Sequence, residues 1–267
     1  MLRMLLSLPF YTLVLLYIRK KGINTSITKT TYLWAIAMGV LGYYLSSLFD
    51  FIGLQYVSAG IERIILFIYP TLAVVINYLF FRAPIYRRQW IAIMVTYIGI
   101  GIAYWGEMKT FENTQLFIFG SVMVLLCGIT YAFYLVGTGR LLPKMGVSLY
   151  TSIAMISATI GIFTHYLLTE DISLLPSYLS LDSPIIYYVI ALAMVATVIP
   201  SFLLSTGMNR IGSNDLSIVT SIGPVATLLQ ANYLLHEQLG MYQLIGTLFV
   251  IAGVVMVKKI RGGQDES

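Results

Sequence analysis

The chain has 267 residues, 58% of them hydrophobic and only 10% charged, with a formal net charge of +5 and a mean hydropathy of +0.86. Soluble domains carry roughly 25% charged residues, so most of this surface is not built for water. The single cysteine, Cys127, excludes a disulfide framework.

In chain order, the few charges leave nine uncharged stretches: 4–18, 30–49, 64–81, 89–106, 113–139, 145–169, 183–209, 216–235 and 238–257. Each is close to the length of about 20 apolar residues that spans a bilayer, the first being the shortest. They lack the strict alternation of a membrane barrel and exceed its strands of about 9 to 11 residues. Only helices satisfy their own backbone in hydrocarbon, so the expected fold is an all-α integral membrane protein with nine transmembrane helices.

Arg19, Lys20 and Lys21 follow the first stretch instead of preceding it. A cleavable signal peptide has the opposite order, so this stretch reads as a true span entering from outside. If the loops alternate sides, 13 of the 16 Lys and Arg fall on one face, and only Arg3, Arg63 and Lys109 on the other. The positive-inside rule then gives a multi-pass protein of the cytoplasmic membrane with a cytoplasmic C-terminus. Bases spread over helix ends form no patch for nucleic acid. The partners expected are the lipid bilayer and a small-molecule substrate, with proton coupling and a homodimer left open.

Laid over itself at an offset of 154 residues, the sequence matches without a gap from about residue 53 to 103. Gly53 falls on Gly207, Ile64 on Ile218, Pro70 on Pro224, Gln89 on Gln243 and Gly99 on Gly253. The offset covers five spans, an odd number, so the copies are expected to be inverted. Inverted repeats are an architecture of secondary transporters, whose substrate site lies between the halves.

The run GLQYVSAGIERIILFIYPTLAVVINYLFF from Gly53 to Phe81, its echo from Gly207 to Gly240, and the segment RQWIAIMVTYIGIGIAY resemble the EamA-type drug/metabolite transporters. The resemblance implies ten helices in two five-helix inverted repeats and, usually, export of amino acids or other metabolites. Residues 1–106 would form the first repeat with four helices, 113–260 the second with five, and 261–267 a polar cytoplasmic tail. The family's first helix has no counterpart here, so a ten-helix fold minus that helix is expected. The glycine-glutamate pair usual after the fourth helix of each repeat is replaced by Arg82 and Ala83 in the first half. His236 and Glu237 stand there in the second half.

Asp50, Glu62 and Arg63 flank the short loop around Tyr56 to Ser58 and lie inside spans, roughly 10 Å from the helix ends at 1.5 Å per residue. An ionisable group in a span is a functional candidate by default. The trio reads either as a site for a charged substrate or a proton, or as an Asp50–Arg63 ion pair clamping two helices. Pro70 and Pro224, near the centres of equivalent helices, are candidate hinges, because proline frees the carbonyls of Leu66 and Thr220. Asn77, Gln230 and Asn232 either line a cavity or join helices by hydrogen bonds. Tyr69 and Tyr131 are candidate cavity residues among 20 tyrosines, many of which belong to interfacial belts.

His165 and His236 lack metal-ligand spacing, and no cofactor or metal is expected. There is no P-loop for ATP hydrolysis and no catalytic constellation for an intramembrane enzyme. The function expected is a secondary transporter of a small metabolite, an exporter by alternating access. The alternative is a non-transporting membrane partner subunit or an inactive truncated transporter.

Overall fold

A computed structural model describes residues 2–21, 27–82, 87–108, 113–169, 184–220, 233 and 240–258, and among these there are helices and turns but no strand. Six helical runs are long and apolar enough to cross a membrane: α1 (Leu2–Lys20), α2 (Lys29–Gly53), α3 (Ala59–Phe81), α5 (Thr114–Met145), α6 (Val147–Thr169) and Ile186–Gly212 of α7. Helices α4 (Arg87–Met108) and α8 (Met241–Lys258) contain the shorter apolar stretches Ile93–Gly106 and Met241–Gly253. α7 consists of Pro184–Ala193, a π-helical segment Met194–Val198, and Ile199–Thr220, whose helical run breaks at Gly212. The break occurs at a φ of 81°, which a glycine adopts without steric cost. The eighth uncharged stretch, 216–235, lies largely outside the described residues, and Pro224, Gln230 and Asn232 lie there too.

The chain folds as two compact units that cut across the sequence halves. One holds Met1–Tyr44 and Gly137–Gly212; the other holds Leu45–Val136 and Ser213–Ser267. In the first, Met4 and Tyr11 of α1 pack with Met155 and Ala158 of α6 and Val198 of α7. Hydroxyls hold these helices together, as expected where lipid supplies no hydrophobic drive between helices. Tyr11 and Ser201 share a hydrogen bond of 2.8 Å, and Thr151 donates to Ser205 at 2.7 Å. Gly39 lets α2 close onto α6, since a Cβ there would run into the Ala154 carbonyl and the Ser157 hydroxyl.

The second unit is centred on Val57, Ile61, Ile64 and Ile65 of the α2–α3 hairpin, packed with Ala103, Phe117 and Val124. α4 and α8, which the 154-residue offset aligns in sequence, meet through glycines. A Cβ on Gly99 would stand 2.6 Å from the Gly246 carbonyl, and one on Gly246 would stand 2.5 Å from that of Gly99.

Candidate functional site

The hairpin that carries the three intramembrane charges is built by a short turn and a helix cap. The Leu54 and Val57 amides bond back to the carbonyls of Asp50 and Gly53, ending α2. Ser58, in extended backbone, then caps α3, its hydroxyl accepting from the Ile61 amide at 3.3 Å. Serine caps because its side-chain oxygen satisfies an amide left free in the first helical turn. The hairpin seats on α5 where Gly120 leaves room: a Cβ there would be 2.7 Å from that of Tyr56. Tyr56 meets Phe119 edge to face, with ring centroids 5.5 Å apart.

Asp50 lies three residues before the end of α2, and Glu62 three after the start of α3. Each is thus about one helical turn, or roughly 5 Å, inside, half the depth expected from the sequence. Residues 54–58 belong to the turn and add no helical rise.

The pairing within the trio also differs from the cross-hairpin Asp50–Arg63 contact. Arg63 Nε lies 3.0 Å from Glu62 Oε2, its neighbour in sequence. The Asp50 and Glu62 carboxyls lie close enough to feel each other's charge. Glu62 is fully buried, whereas the Arg63 side chain is 35% exposed. Asp50 Oδ1, both Glu62 oxygens and Arg63 Nε are buried without a well-formed hydrogen bond. Unsatisfied buried groups of this kind call for an explanation such as a water, an ion or a functional role.

Cys127 of α5 feels the charges of all three. Tyr131, one turn further along α5, meets Tyr69 of α3 edge to face at 5.3 Å and Tyr134 at 5.6 Å. Since Tyr69 follows Glu62 by seven residues, the two lie on one face of α3. The structure therefore places the five expected positions in two groups on three helices of one unit: Asp50, Glu62 and Arg63 at the hairpin, and the Tyr69–Tyr131 pair further along α3 and α5.

Asn77 does not join them: its amide donates to Ala73 of its own helix at 3.0 Å. Pro70 leaves its mark where expected. The regular helix ends at Leu66, Phe67 takes φ −56° and ψ −10°, and helix resumes at Ile68.

Sequence reasoning passed over the hydroxyls of the first unit. Thr197, Ser201 and Ser205 recur every four residues and so form one stripe of α7. Tyr11 and Thr151 bond to that stripe. The spacing was the available signal, hidden because serine and threonine occur throughout the apolar stretches. His165 likewise has a partner, Tyr44, whose hydroxyl is 3.1 Å from its Nδ1.

These helices and their spacing match known proteins. The EamA-like transporter family matches residues 1–105 and 118–258. The uncharacterized transporter YcbK of Bacillus subtilis is 30% identical over 99% of this chain and 84% of its own. An uncharacterized transporter of Archaeoglobus fulgidus is 23% identical over 84% of this chain and 77% of its own. Among solved structures, a protein crystal structure at 14% identity superposes with a TM-score of 0.67 over 97% of this chain and 86% of that one, a likeness of fold. An all-helical multi-pass membrane chain, matched along nearly its whole length, belongs to the EamA-like transporter family.

Proposed function

We propose that the protein is a secondary transporter that exports a small metabolite, an amino acid or similar amphipathic solute, across the cytoplasmic membrane by alternating access. The observation that carries this reading is the buried trio, above all Glu62, fully enclosed with neither oxygen well hydrogen-bonded. An ionisable group buried within a span is costly, a cost that a mere packing role does not require. A zwitterionic solute supplies what the atoms lack: an ammonium to donate to Asp50 and Glu62, and a carboxylate to accept from Arg63. Two carboxyls against one guanidinium also leave the trio a place for one exchangeable proton, and a proton is the coupling ion of this proposal.

Nine spans, inverted repeats and a cytoplasmic C-terminus complete the reading. The two matched family stretches and the concentration of Lys and Arg on one set of loops support them.

The test is flux in proteoliposomes under an imposed pH gradient, with radiolabelled amino acids first and then a panel of small amphipathic solutes. We expect gradient-driven movement of at least one solute, lost in Glu62→Gln and Asp50→Asn variants that still insert normally. No flux from correctly inserted protein across the panel, with or without a gradient, would overturn transport in favour of a partner-subunit role.

A further inference from the structure

Among the described residues, α2 and α7 leave α-helical geometry for about one turn, and the repeat offset relates the two places. α2 is π-helical from Val40 to Leu45, and α7 from Met194 to Val198. The 154-residue offset carries Val40 onto Met194, thirteen residues before the first identity that made the repeat visible, Gly53 on Gly207.

The two segments arise from different residues. In α7 the cause is Pro200, which has no N–H to give the Ala196 carbonyl and whose ring crowds that carbonyl. Its counterpart in α2 is Ser46, followed by Ser47 and preceded by Gly39 and Gly42. Serine and glycine together are another recognised origin of helix distortion. One copy thus reaches with proline the backbone that the other reaches without it. A rare geometry, met mostly as single turns at functional places, is present in both copies although the side chains that produce it differ.

Each segment is also held at its edge. Tyr11 donates to the Thr197 carbonyl at 3.4 Å, and the Thr197 hydroxyl reaches the Leu192 carbonyl five residues back at 3.4 Å. In α2, Tyr44 is bonded to His165 of α6. Immediately beyond Tyr44 the chain leaves the first compact unit, and the arm Ser46–Gly53 carries Asp50 of the charged trio. Bending at Val40–Leu45 therefore moves Asp50 relative to the anchored part of α2.

We propose that the two π segments are a matched pair of hinges, one in each repeat, at which α2 and α7 bend as the protein exchanges between its two facing states. An inverted pair directs the free arm of one hinge toward one side of the membrane and that of the other toward the opposite side, as a symmetric exchange requires. What the bending serves rests on the transport reading. The hinge is measured without substrate, so failure of one leaves the other standing.

The first measurement is hydrogen–deuterium exchange of the full chain in proteoliposomes. Amides of 40–45 and 194–198 are expected to exchange at least about tenfold faster than the helical turns on either side, the mark of local opening. The second uses Cys127, the only cysteine and a buried one, as a reporter. A π turn holds one residue more than an α turn, so removing Leu41 or Val195 straightens the segment without rotating its flanks. Each deletion is expected to slow N-ethylmaleimide labelling of Cys127 by at least about tenfold, through loss of the open population. Exchange in the two segments as slow as in their flanks overturns the proposal. So does unchanged Cys127 labelling in folded deletion variants. Should the deletions not fold, the exchange of the unaltered protein decides.

Discussion

The α2–α3 hairpin of the first copy and its counterpart in the second invite a direct comparison. At the repeat offset Asp50 falls on Leu204, Glu62 on Leu216 and Arg63 on Ser217. None of the three charges is kept at its aligned position, although Arg210 and Asp215 stand between Leu204 and Leu216, and Leu216 is buried just as Glu62 is. Three ionisable groups at these positions, kept against the cost of removing charge from water, are what the transport reading proposed above requires.

Several variants break or sharpen this contrast. The largest effect is expected from Arg63→Ser alone, which copies the second repeat at one position and leaves two carboxyls facing each other without their cation. Breaking one side of a buried pair typically costs 3–5 kcal/mol. With Arg63 partly exposed, we expect about 3 kcal/mol, read as an earlier midpoint in detergent-denaturation curves. Copying the second repeat fully, with Asp50→Leu, Glu62→Leu and Arg63→Ser together, should instead leave stability unchanged or raise it by about 1–4 kcal/mol, while abolishing flux. A triple variant as unstable as the single one would show that the charges belong to the fold.

Next comes Gly246→Ala, made where α4 and α8 touch. Its Cβ would stand 2.5 Å from the Gly99 carbonyl and 2.6 Å from the Ala103 Cβ. Because backbone must shift, a loss of about 1–3 kcal/mol is expected, visible in thermal unfolding followed by size-exclusion fluorescence. Gly101→Ala is its control: a Cβ there meets nothing within 4 Å and should be neutral.

The smallest effect sits outside the charged hairpin. Ser152 is fully buried and its hydroxyl has no partner. Ser152→Ala should stabilise by about 1 kcal/mol by removing an unsatisfied group. A loss in the same melting assay would reveal a partner for that hydroxyl.

Much of the fold was legible because charges are so scarce that they punctuate the chain. Arg19, Lys29, Arg82, Arg87, Arg140 and Lys144 fall at or near the helix ends of the structure. The Pro70 interruption was legible for the same local reason: one missing N–H has a fixed address four residues back. The trio could be named from sequence but not paired. Choosing between Asp50 and Glu62 as the partner of Arg63 depends on side-chain direction around two helices and on how many residues the turn consumes. The π segments were illegible, since no residue type encodes them: proline accompanies one and serine the other. The hydroxyl contact Tyr11–Ser201 was hidden because it joins helices far apart in the chain.

That last separation sets a schedule for biogenesis. Tyr11 and Ser201 are 190 residues apart, and a ribosome adding about 5–20 residues per second needs roughly 10–40 s to make the second after the first. During that interval α1 is in the bilayer, with the tyrosine hydroxyl that will later face α7 turned toward lipid or a temporary neighbour. The first compact unit cannot close until the chain has been made to Gly212, by which time all of α2–α6, including most of the other unit, has been synthesised. Synthesis slowed between α6 and α7 would therefore prolong the time in which Tyr11 of α1 and Thr151 of α6 both lack their α7 hydroxyl partners.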